Sequence, residues 1–239
     1  MAYLAAELRE KIRDRLRSLD GAVRLVFFKE KMSDACLRTE GLLKEVAALS
    51  DRLELRIHNR YIDDKIAADY AIEACPTLVL EGPGGNRVRM MGKLVGFEFA
   101  ILLAALKDIS VGRSEVGDAA RKKLDWVAQS TRIRCFVMPA CVHCPKVART
   151  AQRFAVEYPL ISAEIIDAAE FPALAAQYEV DQVPKVVIND RVMFVGAAPE
   201  DVFARAVALS VQSEGKPQQE VLSRTGEFYP PNPPGPACI

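Results

Sequence analysis

The chain has 239 residues, half of them hydrophobic, with 32 basic and 32 acidic side chains and a formal net charge of zero. Scattered basic residues without net positive charge exclude a polycationic nucleic-acid groove, and no run approaches the roughly 18 apolar residues of a membrane-crossing helix. The length suits one large domain or two modest ones, each able to bury a core.

Near the N-terminus, Leu4, Leu8, Ile12 and Leu16 recur every four residues among Glu7, Arg9, Glu10 and Lys11. This predicts an amphipathic helix over 3–18 rather than a secretion signal. The expected location is therefore cytoplasmic, where cysteines are more often catalytic, metal-bound or buried than structural disulfides. An apolar run predicts a strand over 22–28, and Leu42, Leu43, Val46 and Leu49 mark a helix over 34–49. A strand over 53–58, a helix over 62–73, strands over 77–80 and 87–91, and a helix over 97–108 follow. After a helix over 118–129 the series returns: strand 133–137, helix 142–156, strand 161–166, helix 168–178, strands 185–188 and 191–195, helix 199–209. Strands alternating with helices predict an α/β fold on a βαβ unit, closed by a hairpin. From Ser213 the chain turns polar, and five of its last ten residues are proline, which predicts an extended tail.

The return of the series is an internal repeat. Adding 108 takes Phe28 to Phe136, Ser33 to Cys141, Cys36 to Cys144 and Pro76 to Pro184. The offset then falls to 104, taking Gly92 to Gly196 and Phe99 to Phe203, because the first copy has four extra residues in its turn. The expected organisation is two similar folds, 1–115 and 116–211, each led by a helix, with a tail over 212–239.

Chemistry concentrates at Cys141-Val142-His143-Cys144, between a strand and the start of a helix. A helix N-terminus stabilises a thiolate through its unpaired N–H groups and positive dipole end. Cys141 is then the candidate nucleophile, and Cys144, further into the helix, the thiol that resolves the mixed disulfide. His143 is a candidate tuning residue: a partly protonated imidazole favours the thiolate, hence the reduced form and a more oxidising couple. Its alternative is a solvated histidine without effect. Pro145 suits the first helical turn, where a missing N–H costs little.

The segments 136–145 (FVMPACVHCP) and 182–188 (QVPKVVI), followed by Gly196, resemble the thioredoxin superfamily on its glutaredoxin-like branch. The tandem arrangement is similar to the two-fold protein disulfide oxidoreductases of thermophilic prokaryotes. It is also similar to the N-terminal region of the alkyl hydroperoxide reductase flavoprotein subunit. The resemblance implies two tandem thioredoxin-like folds, each a central mixed sheet flanked by helices. It further implies dithiol–disulfide exchange on disulfide-containing protein substrates, with Cys141 attacking and Cys144 resolving. Pro184 becomes a cis-proline that leaves the Val183 backbone free to pair with substrate. Reduction would come from a thioredoxin-reductase-like flavoprotein or another dithiol donor. No organic cofactor is expected, since no Gly-rich dinucleotide fingerprint follows a strand.

The first copy departs from the family pattern at Ser33-Asp34-Ala35-Cys36, which lacks the outer cysteine of a Cys-x-x-Cys pair. Its cis-proline position is Pro76, preceded by Cys75. The resemblance would bring Cys36 and Cys75 near each other, as a regulatory or structural bond or as two inert thiols. Cys135 reads as a packed strand residue, Cys238 as an incidental thiol in the tail, and no ligand set surrounds His58. Two other function classes compete. Zinc binding at Cys141 and Cys144 lacks the second ligand pair of a structural site. A redox-inert peptide-binding scaffold suits the first copy better than the second. Within the enzyme class, an electron shuttle to a peroxidase is the alternative to general exchange.

Overall fold

The computed structural model describes residues 3–31, 33–83, 85 and 87–212. The tail expected over 212–239, from residue 213 on and with Cys238, lies outside them. Among the described residues, eight helices and eight strands form a mixed α/β structure. The first series is α1 (Ala6–Leu16), β1 (Val23–Lys29), α2 (Asp34–Ala47), β2 (Leu53–Asn59), α3 (Asp64–Asp69), β3 (Thr77–Glu81), β4 (Arg87–Met91) and α4 (Phe97–Val111). The second is α5 (Asp118–Leu124), β5 (Thr131–Val137), α6 (Cys144–Glu157), β6 (Ile161–Asp167), α7 (Pro172–Gln177), β7 (Lys185–Ile188), β8 (Val192–Val195) and α8 (Glu200–Gln212).

Several boundaries differ from those expected, α3 and α5 being shorter and α4 longer, and three others have a clear local reason. The helix expected from 142 begins at Cys144, with His143 at its cap. The helix expected over 168–178 is shorter, because Ala168 N–H bonds to the Val137 carbonyl at 2.9 Å and Pro172 occupies the first turn. At the N-terminus Leu8 is exposed. The helix starts only at Ala6, while the Tyr3 and Leu4 amides donate to the Glu45 carboxylate at 2.6 and 3.1 Å. Leu4 therefore packs ahead of the helix, and Ile12 and Leu16 form its buried stripe.

The repeat reaches the backbone hydrogen bonds. Arg60 N–H bonds to the Lys29 carbonyl as Ala168 N–H does to Val137, both at 2.9 Å. Ile72 to Ala67 matches Val180 to Ala175, and left-handed residues recur at Ala71 (φ 49°) and Glu179 (φ 50°).

All the strands form one sheet, in the order β2-β1-β3-β4-β6-β5-β7-β8. The two series meet at β4 and β6, which pair in parallel from Val88 opposite Ala163 to Met91 opposite Ile166. Strands β1, β2, β4, β6 and β5 run one way and β3 and β7 the other. The loops that follow β1, β4, β5 and β6 therefore open at one end of the sheet. The prolines that precede β3 and β7 lie at that end too. With four strand spacings between β1 and β5, the Ser33 and Cys141 sites are about 19 Å apart along this edge.

Alternation along each strand divides the core. Leu25, Phe27, Ile133, Cys135 and Val137 face a continuous apolar cluster that also holds Ile12, Leu43, Leu102, Leu106, Phe154 and Phe203. On the other face Val26 and Phe28 pack with Ala67 of α3, and Phe136 and Ile166 with Ala175 of α7. Between these smaller clusters a buried ion network crosses the junction. Glu164 accepts from Arg134 at 2.9 Å and from Arg89 at 3.3 Å, and Arg134 also bonds Asp190 and the Tyr178 hydroxyl. Burying these charges is tolerable because each meets partners.

Candidate active site

The turn after β5 presents the dithiol. The Cys141 N–H bonds to the Met138 carbonyl at 3.1 Å, and the Cys144 N–H approaches the Cys141 carbonyl at 3.3 Å. Helix α6 has no side-chain cap, so its first amides remain available to charge developing at the preceding cysteine. The first copy differs at this point. Ser33 caps α2, its Oγ accepting from the Cys36 N–H at 3.2 Å. Where the second copy leaves that helix start open to a sulfur, the first closes it with a hydroxyl.

Exposure separates the two thiols: Cys141 is 9% exposed and Cys144 only 1%. They share a hydrogen bond, and the Cys144 thiol is pushed well up, first by burial and then by that bond, while a Met138 backbone contact opposes the rise. The Cys141 thiol points at the Val183 carbonyl, 3.8 Å away. The Val183–Pro184 bond is cis, and the Pro184 carbonyl accepts from Gly196 N–H at 2.8 Å. The sheet thus brings Cys141, Cys144, Val183 and Pro184 together. His143 is exposed and makes no cap bond.

In the first copy, Cys75–Pro76 is also cis, and Gly92 N–H bonds to the Pro76 carbonyl at 3.0 Å. Cys36 is fully buried and Cys75 half-buried, both as free thiols. Burial pushes the Cys75 thiol up to about 12; Cys36 and Glu30 add to the rise, against Arg60. Cys135 lies fully buried under β5, its thiol raised by burial. His58 tilts against the Phe28 ring with Asp63 3.7 Å away. Among the described residues, no three His, Cys, Asp or Glu side chains are grouped to hold a metal.

Sequence reasoning passed over Glu98 and the loop before it. Glu98 is 4% exposed, and neither carboxyl oxygen has a hydrogen-bond partner. Burial pushes its carboxyl up to about 9, helped by Asp167 and, to a smaller extent, Glu170, and opposed by the Val95 backbone. Asp167 is itself raised, first by burial, against hydrogen bonds from the Ala169 and Glu170 backbone. An acidic residue in a first helical turn is ordinary, so Phe97-Glu98-Phe99 carries no signal of burial. The loop at 92–96 lies against the dithiol turn: a side-chain carbon added to Gly96 would stand 3.0 Å from the Pro139 carbonyl.

Residues 131–208 match the thioredoxin-domain family model. The thioredoxin of Methanocaldococcus jannaschii is 35% identical over 77 residues, which are 32% of this chain and 91% of that protein. The chain belongs to the thioredoxin family. The family-model match falls on the half that holds Cys141 and Cys144. The thioredoxin-like architecture extends further. A protein disulfide oxidoreductase from Aeropyrum pernix superposes with a TM-score of 0.78 at 26% identity, over 87% of this chain and 94% of that one. An alkylhydroperoxide reductase component from Enterococcus faecalis gives 0.78 at 24% identity, over 86% and 99%, a likeness of fold alone. The chain is thus a thioredoxin-fold protein of the disulfide oxidoreductase kind. Among its described residues no helix is long and apolar enough to cross a membrane.

Proposed function

We propose that the chain catalyses dithiol–disulfide exchange on disulfide-containing proteins in a reducing cytosol, through residues 116–211. The observation that carries this reading is Cys141 Sγ facing the Val183 carbonyl at 3.8 Å, with Cys144 buried beneath it. Cys141, as the thiolate, attacks one sulfur of a substrate disulfide; that S–S bond breaks and the other substrate sulfur leaves as a thiolate. Cys144 gives up its proton and attacks Cys141, the mixed disulfide breaks, and the second substrate thiolate departs. The substrate leaves as a dithiol and the protein as a Cys141–Cys144 disulfide.

Burial supports this order, since a covered Cys144 meets only a sulfur already attached to Cys141. The cis bond between Val183 and Pro184 supports pairing of the Val183 backbone with an extended substrate strand. Restoring the dithiol needs two electrons from a flavoprotein reductase or another dithiol donor. Residues 1–115 hold no working pair in this reading.

Insulin reduction driven by dithiothreitol or a reductase tests it. Cys141→Ser is expected to lose activity, and undiminished activity in that variant refutes the mechanism.

A further inference from the structure

We propose that Val95 and Phe97, on the loop joining β4 to α4, form a docking wall for disulfide-bearing polypeptides beside Cys141. The half without a complete dithiol would then set the substrate preference of the half that has one. This deepens the exchange reading and rests on it.

The wall is held in place by the shared sheet. Strand β4 is in register with β6, so the loop leaves the sheet next to the dithiol turn. Lys93 anchors the loop through an ion pair with Glu170, and Leu94 is buried. Gly96 adopts φ +56°, a conformation open to glycine, and lies against Pro139, two residues before Cys141. On either side of this contact Val95 is 48% and Phe97 39% exposed, and Val142 of the dithiol motif is 68% exposed. Three exposed apolar side chains thus flank the place where the loop meets the dithiol turn.

The fold does not need them there. At the offset of 104, Val95, Gly96 and Phe97 correspond to Pro199, Glu200 and Asp201. Pro199, Glu200 and Asp201 start α8 as well as Gly96 and Phe97 start α4, with a charged residue at the position of Phe97 and a proline at that of Val95. An exposed phenylalanine where the twin helix start carries an aspartate contributes little to folding, and with exposed Val95 beside it is suited to contact.

The occupant follows from the chemistry at Cys141. Its sulfur is nearly covered and faces Val183, so a polypeptide disulfide reaches it only by laying its backbone into the turn region. The residues flanking that disulfide then fall on Val142, Val95 and Phe97. A small disulfide reaches the same sulfur without spanning the wall. The preferred substrates are therefore polypeptides with apolar side chains next to the disulfide.

The test compares the full-length Val95→Ser/Phe97→Ser double variant with the parent on two substrates, insulin and 5,5′-dithiobis(2-nitrobenzoate). The ratio of kcat/KM for insulin to that for the small disulfide is expected to fall about tenfold, mainly through KM for insulin. Phe97→Leu, which keeps an apolar contact, should retain most of the ratio. Trp126→Ser, a similarly exposed apolar residue preceding β5 at the opposite end of the sheet, should leave it at the parent value. An unchanged ratio in the double variant, or an equal fall on both substrates, overturns the docking wall. Cys141→Ser run in parallel separates the failures. If that variant is inactive while the ratio is unchanged, only the wall is wrong; if it turns over both substrates, the exchange reading falls and the wall with it.

Discussion

Replacing Glu98 with glutamine tests whether a carboxyl is held neutral beside the dithiol turn. Its usual value is 4.5 and the fold raises it to about 9, chiefly by burial. The folded state therefore keeps a proton that the unfolded chain releases above 4.5. Stability from this group is fully present below 4.5 and declines as pH rises toward 9, at about 1.4 kcal/mol per pH unit. By pH 7.5 the accumulated loss is about 4 kcal/mol, whereas at pH 5 it is under about 1 kcal/mol. Glutamine keeps the shape and its own unmet hydrogen bonds, which cost about 1–3 kcal/mol at either pH and cancel in the comparison. Urea unfolding at the two pH values should show Glu98→Gln gaining on the parent by about 3–4 kcal/mol between pH 5 and pH 7.5. Carboxylates other than its neighbours Asp167 and Glu170 titrate alike in both proteins, so the double difference isolates Glu98 and its coupling to those two. A variant-minus-parent difference that is the same at both pH values refutes the reasoning, because Glu98 would then ionise as a solvated carboxyl does.

His143→Leu tests the tuning role: loss of an imidazole that favours the reduced form would make the dithiol more reducing by on the order of 30 mV. Equilibration against glutathione measures this, and an unchanged potential leaves His143 as a solvated helix-start residue. Cys36 and Cys75 should both be alkylated as free thiols when the unreduced chain is denatured and analysed by mass spectrometry. In the native protein Cys75 should react slowly at pH 8, because its thiol is pushed up to about 12; recovery of a Cys36–Cys75 linked peptide would defeat the prediction.

The α/β fold and its repeat were legible because backbone constraints leave marks in sequence. Pro76 and Pro184 precede equivalent strands, Gly92 and Gly196 meet those prolines, and the two strand–helix series keep one offset until the longer turn at 81–85. The dithiol was legible because two cysteines three apart at a helix start carry a mechanism with them. The junction of the halves was not. Val88 and Met90 on β4 read as any covered strand does, and nothing in Ile161–Asp167 names its neighbour. Glu164 and Arg134 look like the solvent face of half-buried strands, yet both are buried: Glu164 meets Arg134 and Arg89, and Arg134 meets Glu164 and Asp190. Glu98 and the Val95–Phe97 rim depend on that junction, so they stayed hidden with it.

Pairing β4 with β6 gives the first half a structural role although it lacks a Cys-x-x-Cys pair. Without it, β6 would present an open row of backbone donors and acceptors, a surface prone to pairing with other chains. Glu164 would lose Arg89, and α6 would lose the packing of α4, including the Arg149–Asp108 ion pair at 2.6 Å. A serine at position 33 disturbs none of these contacts, because it caps α2 while Cys36 fills its place in the core. The first half therefore supplies its sheet, its helices and its loop against Pro139 without a dithiol of its own. What that loop sets beside Cys141 is the apolar pair Val95 and Phe97, which is the part of the first half that a substrate of the second would meet.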